Sequence, residues 1–331
     1  MTTRSVKTNA LASLLRQFLQ WLYRGLHFVV LKHLALGLVL SALAGFTVPT
    51  LANIPPIGVQ GLLGIVMLFA WFELKPEVLR QVKLAPVLLF YAVRFLALPI
   101  LMYSLAKPIA PGFASGVLLF FLMPAGVSSP ALCASLGGSP TIALALVLVS
   151  SLLTPFAVPA ICALMLGTQS VLPPVPLLLS LMSIIFIPAL VFLPLKRSPL
   201  AQQFNQAHGR LISVLIILLI VAIVIAKQKP AMLSDLPRLA KLTAVSFGVF
   251  AIAYGVGWWG ATLGKKEPPS RAWNISYACA SGLNNVALGV SLAFLYGSAL
   301  DSIFLVICEV PWGLALIPFK ALLNRLPPER H

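Results

Sequence analysis

From residue 33 onward, long apolar stretches follow one another, separated by short intervals that carry the charges. A membrane-spanning helix needs roughly 20 predominantly apolar residues. On that measure the pattern predicts spans at 33–52, 57–74, 84–106, 112–135, 140–165, 171–195, 210–227, 239–263, 272–297 and 300–319. Polar intervals reach only roughly a dozen residues, which leaves no room for a soluble domain. Residues 9–27 follow another rule: Leu11, Leu14, Leu15, Phe18 and Leu22 recur at helical spacing against Arg16 and Arg24. That is the pattern of a basic amphipathic helix lying on a membrane surface. The expected layout is therefore a basic segment 1–32, the spans, and a tail 321–331. No short apolar core with a small-residue cleavage site begins the chain, so no signal peptide is expected.

Ten spans divide into two sets of five, 33–165 and 171–320. An odd number per set gives the sets opposite orientations. The fourth span of each set is interrupted in the same way, by Pro124, Gly126, Ser128, Ser129 and Pro130 in one and by Ser281, Gly282, Asn284 and Asn285 in the other. Proline removes a backbone donor and clashes with the preceding turn, and glycine loosens it. Backbone groups freed at that depth are tolerated where they are buried in protein or line a cavity. The expected fold is an all-α polytopic membrane protein with two inverted five-helix repeats and discontinuous fourth and ninth helices. Matched interruptions in inverted halves point to a secondary transporter with its site near the bilayer midplane. The competing reading is that the same residues only kink packed helices.

Composition agrees with this layout and removes the alternatives. Of the 331 residues 60% are apolar and 9% charged, against about 25% charged in soluble domains, which excludes a soluble enzyme. The net charge of +16 would suggest a nucleic-acid partner in a soluble chain. Here it follows the positive-inside rule, so no nucleic acid is expected. Of the 23 basic residues, Lys107, Lys227, Lys229, Arg238 and Lys241 fall in intervals on one side, and Arg94 falls within a span. The other 17 lie on the opposite side, which places both termini in the cytoplasm of a multi-pass plasma (bacterial inner) membrane protein. Cys133, Cys162, Cys279 and Cys308 are isolated in apolar segments, and neither a disulfide framework nor a metal site is expected.

The interruptions also carry candidate chemistry. Half-helix N-termini present unpaired N–H groups and a partial positive charge, and Gly126 with Ser128 and Ser129 lets a carboxylate approach the backbone. Asn284 and Asn285 offer donors and acceptors. The same side chains also join helices to one another. Ser150, Ser151 and Thr154 are expected to hydrogen-bond within their helix or to a neighbour.

At these segments the chain resembles the bile acid:sodium symporter family. The likeness begins in residues 64–76 (GIVMLFAWFELKP), continues through 123–130 (MPAGVSSP), similar to the family's "PGGTASN" crossover, and reaches 150–155 (SSLLTP), similar to its "STLLSP". The second half matches more weakly, at 281–285 (SGLNN) against "VGMQN". The resemblance covers residues 35–320 and implies a panel and a core domain, crossing discontinuous helices, and alternating-access transport of an organic anion. It also implies where sodium would be held, and there the chain departs. Ser129 keeps one ligand position, but Pro130, Ala143, Val147 and Ala280 stand where the family has oxygen-bearing side chains, and Arg94 where it has a glutamine. Sodium coupling of the usual kind is therefore not expected; the coupling ion is a proton, or there is none, and no cofactor is implied.

Two charges lie deep in spans, Arg94 and Glu309. An arginine at a span centre costs about 2.5–3.5 kcal/mol on insertion scales, so each should face the interior with a partner. Three readings are open. The two form a structural ion pair; or Arg94 is a built-in cation standing where sodium would sit; or Glu309 exchanges protons and couples them to transport. If Arg94 does face the substrate, a buried guanidinium favours a carboxylate or sulfonate through bidentate contact. Against an organic-anion carrier without the usual sodium coupling stand a sodium symporter with altered ligands, a related arsenite- or auxin-type carrier, and a channel or sensor on the same fold. An intramembrane enzyme is disfavoured because no HExxH, GxSxG or paired intramembrane Asp occurs.

Overall fold

The computed structural model describes residues 34–167, 173–264 and 269–325. The amphipathic helix expected at 9–27, the rest of segment 1–32, Lys265, Lys266 and the tail from 326 lie outside the described residues. All regular structure among the described residues is helical.

In chain order the helices are α1 (Leu34–Thr47), α2 (Pro56–Glu73), α3 (Leu84–Ile109), α4 (Ala114–Leu122), α5 (Ser129–Ser135), α6 (Pro140–Leu166), α7 (Pro174–Leu195), α8 (Pro199–Leu233), α9 (Leu236–Gly260), α10 (Arg271–Gly282), α11 (Val286–Tyr296), α12 (Ala299–Leu314) and α13 (Leu316–Arg325). Proline at the first turn starts many of them, α2, α6, α7 and α8 among them, where its missing N–H is one the helix could not have used. Ser139, Ser198 and Asp235 cap α6, α8 and α9 by accepting a backbone N–H. Ser298 and Asp301 form a reciprocal capping box that starts α12.

Among the described residues seven helices are long and apolar enough to cross a membrane: α2, α3, α6, α7, α8, α9 and the α12–α13 pair. The chain is therefore a multi-pass membrane protein. The hydropathy pattern predicts ten spans, and the difference has a plain origin. The remaining apolar helices are short, at Leu36–Thr47, Pro111–Leu122 and Val286–Tyr296, and the last two border the two interruptions.

Two boundaries also differ from expectation. α8 begins at Pro199 and ends at Leu233, not 210–227, because helix formation does not stop where apolarity does. Ser198 supplies a cap, a π-helical turn at Asn205–Gly209 carries the helix onward, and the polar end with Lys227 and Lys229 stays wound. The last span, expected at 300–319, runs on to Arg325, with Ala315 keeping helical angles between α12 and α13. α3 contains a π-helical turn at Ala92–Ala97, centred on Arg94.

Two groups of helices are joined by broad contacts, α6 on α7 and α12 on α8. α1 lies along α8, and α2 packs on both α7 and α8. Gln60 donates to Ser183 Oγ at 2.9 Å and Trp71 Nε1 to the Ile185 carbonyl at 3.0 Å, tying α2 to α7. In the other group α3 packs on α4, α5 on α6 and α10, α9 on α10, and α12 on α4, α9 and α11.

Candidate functional site

The two interruptions meet. α4 ends at Leu122 because Met123 turns extended and Pro124 has no N–H to continue the helix. α10 ends at Gly282, where Leu283 leaves the helical region. The two short extended pieces run antiparallel: Gly126 N–H donates to the Leu283 carbonyl at 2.6 Å, and Asn285 N–H to the Pro124 carbonyl at 2.7 Å. Glycine is required here, since a Cβ on Gly126 would lie 2.7 Å from the Leu283 carbonyl oxygen.

Breaking a helix releases carbonyls that must find other donors. In a continuous helix the Phe121 carbonyl would accept from the N–H of Ala125, but that N–H donates to Ser150 Oγ at 3.0 Å. The Ser281 carbonyl would accept from Asn285, whose N–H goes to Pro124. Arg94 supplies both. Its Nη1 donates to the Phe121 carbonyl at 2.8 Å, its Nη2 to the Ser281 carbonyl at 2.8 Å, and its Nε to Ser281 Oγ at 2.6 Å. Ser281 Oγ in turn donates to the Ala253 carbonyl at 2.5 Å, adding α9 to the chain. Asn284 Nδ2 fills a third released carbonyl, that of Phe120, at 2.8 Å.

Arg94 is fully buried, and its guanidinium also lies 4.8 and 5.3 Å from the ring centroids of Phe95 and Phe121, within cation–π range. It stands at the C-terminal ends of α4 and α10, where the partial charge is negative. The ion pair with Glu309, one of the three readings, is not formed. Released main-chain carbonyls, which no charge count reveals, are its partners instead. Glu309, on α12, is 5% exposed and its Oε1 has no hydrogen-bond partner.

The other residues singled out in the sequence distribute around the crossover. Asn285 caps α11 by accepting from Leu288 N–H at 3.2 Å. Removing that cap in Asn285→Ala should lower stability by about 1 kcal/mol, read as a small fall in melting temperature of the purified protein. Ser128 precedes α5 without capping it through its side chain, and Pro130 occupies its first turn. Ser129 Oγ and Asn284 Oδ1 are buried without a partner, a state that calls for a ligand or water. Ala143, Val147 and Ala280 are all fully buried, and Val147 and Ala280 belong to one apolar cluster with Phe95, Ala125 and Tyr277.

A crevice separates the crossover from α2 and α7, lined by Trp71, Ile185, Pro124, Val127, Ser151 and Asn285 among others. It leaves about 20 Å³ for a water-sized sphere, room for one water and too little for an organic anion.

Ser150 does both things expected of it: it bonds back to the Leu146 carbonyl at 2.7 Å and holds the Ala125 N–H of the neighbouring interruption. Sequence reasoning missed one anchor. Trp312 Nε1 donates to the Asn284 carbonyl at 3.1 Å, linking α12 to the second interruption. A buried indole N–H must find an acceptor, and that was the available signal.

The model of the sodium bile acid symporter family matches residues 60–234, just over half of the chain. The matched stretch holds Arg94 and the first interruption and stops short of the second. No curated protein matches the chain.

Proposed function

The chain belongs to the sodium bile acid symporter family, a family of membrane transporters, and from that premise we propose that it is a secondary carrier of an organic anion working by alternating access at the crossover. In this reading the two interrupted pairs, α4–α5 and α10–α11, are the fourth and ninth of ten spans. The spans form two inverted repeats, 33–165 and 171–320, with both termini on the cytoplasmic side of the plasma membrane. α1, α2, α7 and α8 act as a panel, and the helices bound to the crossover move against it as a core. The crevice between them opens to admit the substrate.

One observation carries the proposal: Arg94 places a buried positive charge at the crossover, and no carboxylate among the described residues pairs with it. Helix-end carbonyls hold the guanidinium, and its charge remains available to a carboxylate or sulfonate substrate. It also takes carbonyl oxygens that a small cation would otherwise use, while Val147 and Ala280 pack apolar surface nearby. The carrier therefore runs without sodium. A second reading, a sodium symporter with altered ligands, is favoured by the unpartnered oxygens of Ser129 and Asn284.

The test is counterflow in proteoliposomes with labelled taurocholate, benzoate and pyruvate, in sodium chloride and in choline chloride. The expected result is exchange of at least one probe, equal in both salts. Exchange only in sodium supports the second reading, and flux without counter-exchange would indicate a channel.

A further inference from the structure

α12 carries a group that the crossover does not use. Glu309 lies in the interior with one carboxylate oxygen unpartnered, in a span where a bare charge costs several kcal/mol unless paired. Among the described residues no cation balances it. Arg94 stands on α3 and is committed to the Phe121 and Ser281 carbonyls. On α8, Lys229 donates to the Phe46 carbonyl and Lys227 lies over the Phe294 ring, while Arg210 is exposed and His208 packs on Phe204. On α9, Arg238 pairs with Asp235, Lys241 is exposed and Tyr254 packs on Phe319. Tyr296 of α11 is bonded to Ser180, and Lys320 and Arg325 of α13 are exposed. α1 and α4 carry no titratable side chain in their described lengths. On α12 itself, Asp301 is engaged with Ser298 and Ser115, and Cys308 is a buried thiol.

A carboxylate so placed needs a positive partner, and a proton is one that water can supply. Glu309 is also connected to the moving part: one turn further along α12, Trp312 holds the Asn284 carbonyl at the second interruption. We propose that Glu309 is the proton-binding site of the carrier. Its carboxylate forms an O–H bond with a proton from water on one side of the membrane. It gives that proton up to water on the other side when the core moves, so that each organic anion crosses with one proton. This rests on the carrier reading above and assigns its coupling ion.

The test has two parts. Infrared difference spectra of the lipid-reconstituted protein between acid and alkaline buffer should show the carbonyl stretch of a protonated carboxyl at neutral pH. The band should be lost in Glu309→Gln and kept, shifted, in Glu309→Asp. Identical spectra for wild type and Glu309→Gln overturn the assignment whatever the transport result. In proteoliposomes, the probe that exchanges in counterflow should accumulate several-fold under an inward proton gradient. Glu309→Gln should keep exchange and lose accumulation. Wild-type exchange with no gradient-driven accumulation overturns the proton assignment and leaves the carrier standing. Absence of wild-type exchange overturns both.

Discussion

Replacing Arg94 by leucine should cost more stability than any other single change at the crossover. The two main-chain carbonyls it serves would be left buried and unpaired, at about 1–3 kcal/mol each, and the links through Ser281 to Ala253 would weaken with them. Thermal unfolding of the purified protein in detergent checks this. Arg94→Lys keeps the charge but replaces a planar fork by a compact ammonium, and should fall between leucine and wild type. Arg94→Gln separates the mechanistic alternatives. With the guanidinium gone, the carbonyls of Phe121 and Ser281 and the oxygens of Ser129 and Asn284 become available to a small cation. The variant's melting temperature should then rise in sodium chloride relative to choline chloride, while the wild type shows no difference. A ligand at 100 times its dissociation constant adds about 2.7 kcal/mol, which is resolvable. A sodium response already present in the wild type would contradict the idea that Arg94 has taken the cation's place.

The second large effect is expected at Gly126. A methyl group there meets the Leu283 carbonyl at 2.7 Å and the Asn284 carbonyl at 3.3 Å. Both are main chain, and both belong to the paired segment itself, so neither can move without parting the two interruptions. Gly126→Ala should destabilise by about 1–3 kcal/mol and abolish counterflow exchange. Gly248→Ala is the control: it sits in α9 with nothing within 4 Å of the added carbon, where alanine is the better helix former. A Gly126→Ala variant as stable and as active as Gly248→Ala would show that the close approach is not required.

What the sequence made legible follows from the physics of each signal. Proline and glycine act through their own backbones, so Pro124, Gly126 and Gly282 could be read locally as interruptions. Arg94 was visible because a charge amid Leu, Phe and Val is conspicuous. Its partners were hidden, because carbonyls freed by an interruption belong to every residue type and leave no mark in the sequence. Glu309 was therefore the natural partner to suggest, and the wrong one. The role of Trp312 was hidden for a related reason: what it bonds is main chain of the second interruption, brought near only by folding. Helix ends went wrong at α8, where hydropathy marks the apolar zone and the capping serine marks the helix. The count of spans depends on the same distinction, since an interrupted pair such as α4 and α5 is apolar over its whole length but too short in each piece.

The π-helical turn in α3 sets the phase of that helix. Its buried residues fall in two adjacent rows that step by four, Val87, Tyr91, Phe95, Pro99 and Tyr103 in one and Phe90, Arg94 and Leu98 in the other. In a uniform α-helix a four-residue step overshoots a full turn by about 40°, so a stripe with that spacing would wind steadily around to the opposite side. One wider turn at Ala92–Ala97 absorbs part of that rotation midway. The two ends of α3 thus keep a common inward side, and the residue at the centre of the wider turn is the arginine. Position along the chain and direction in space are uncoupled at this one point, and a charge enters a stripe otherwise made of rings and branched chains.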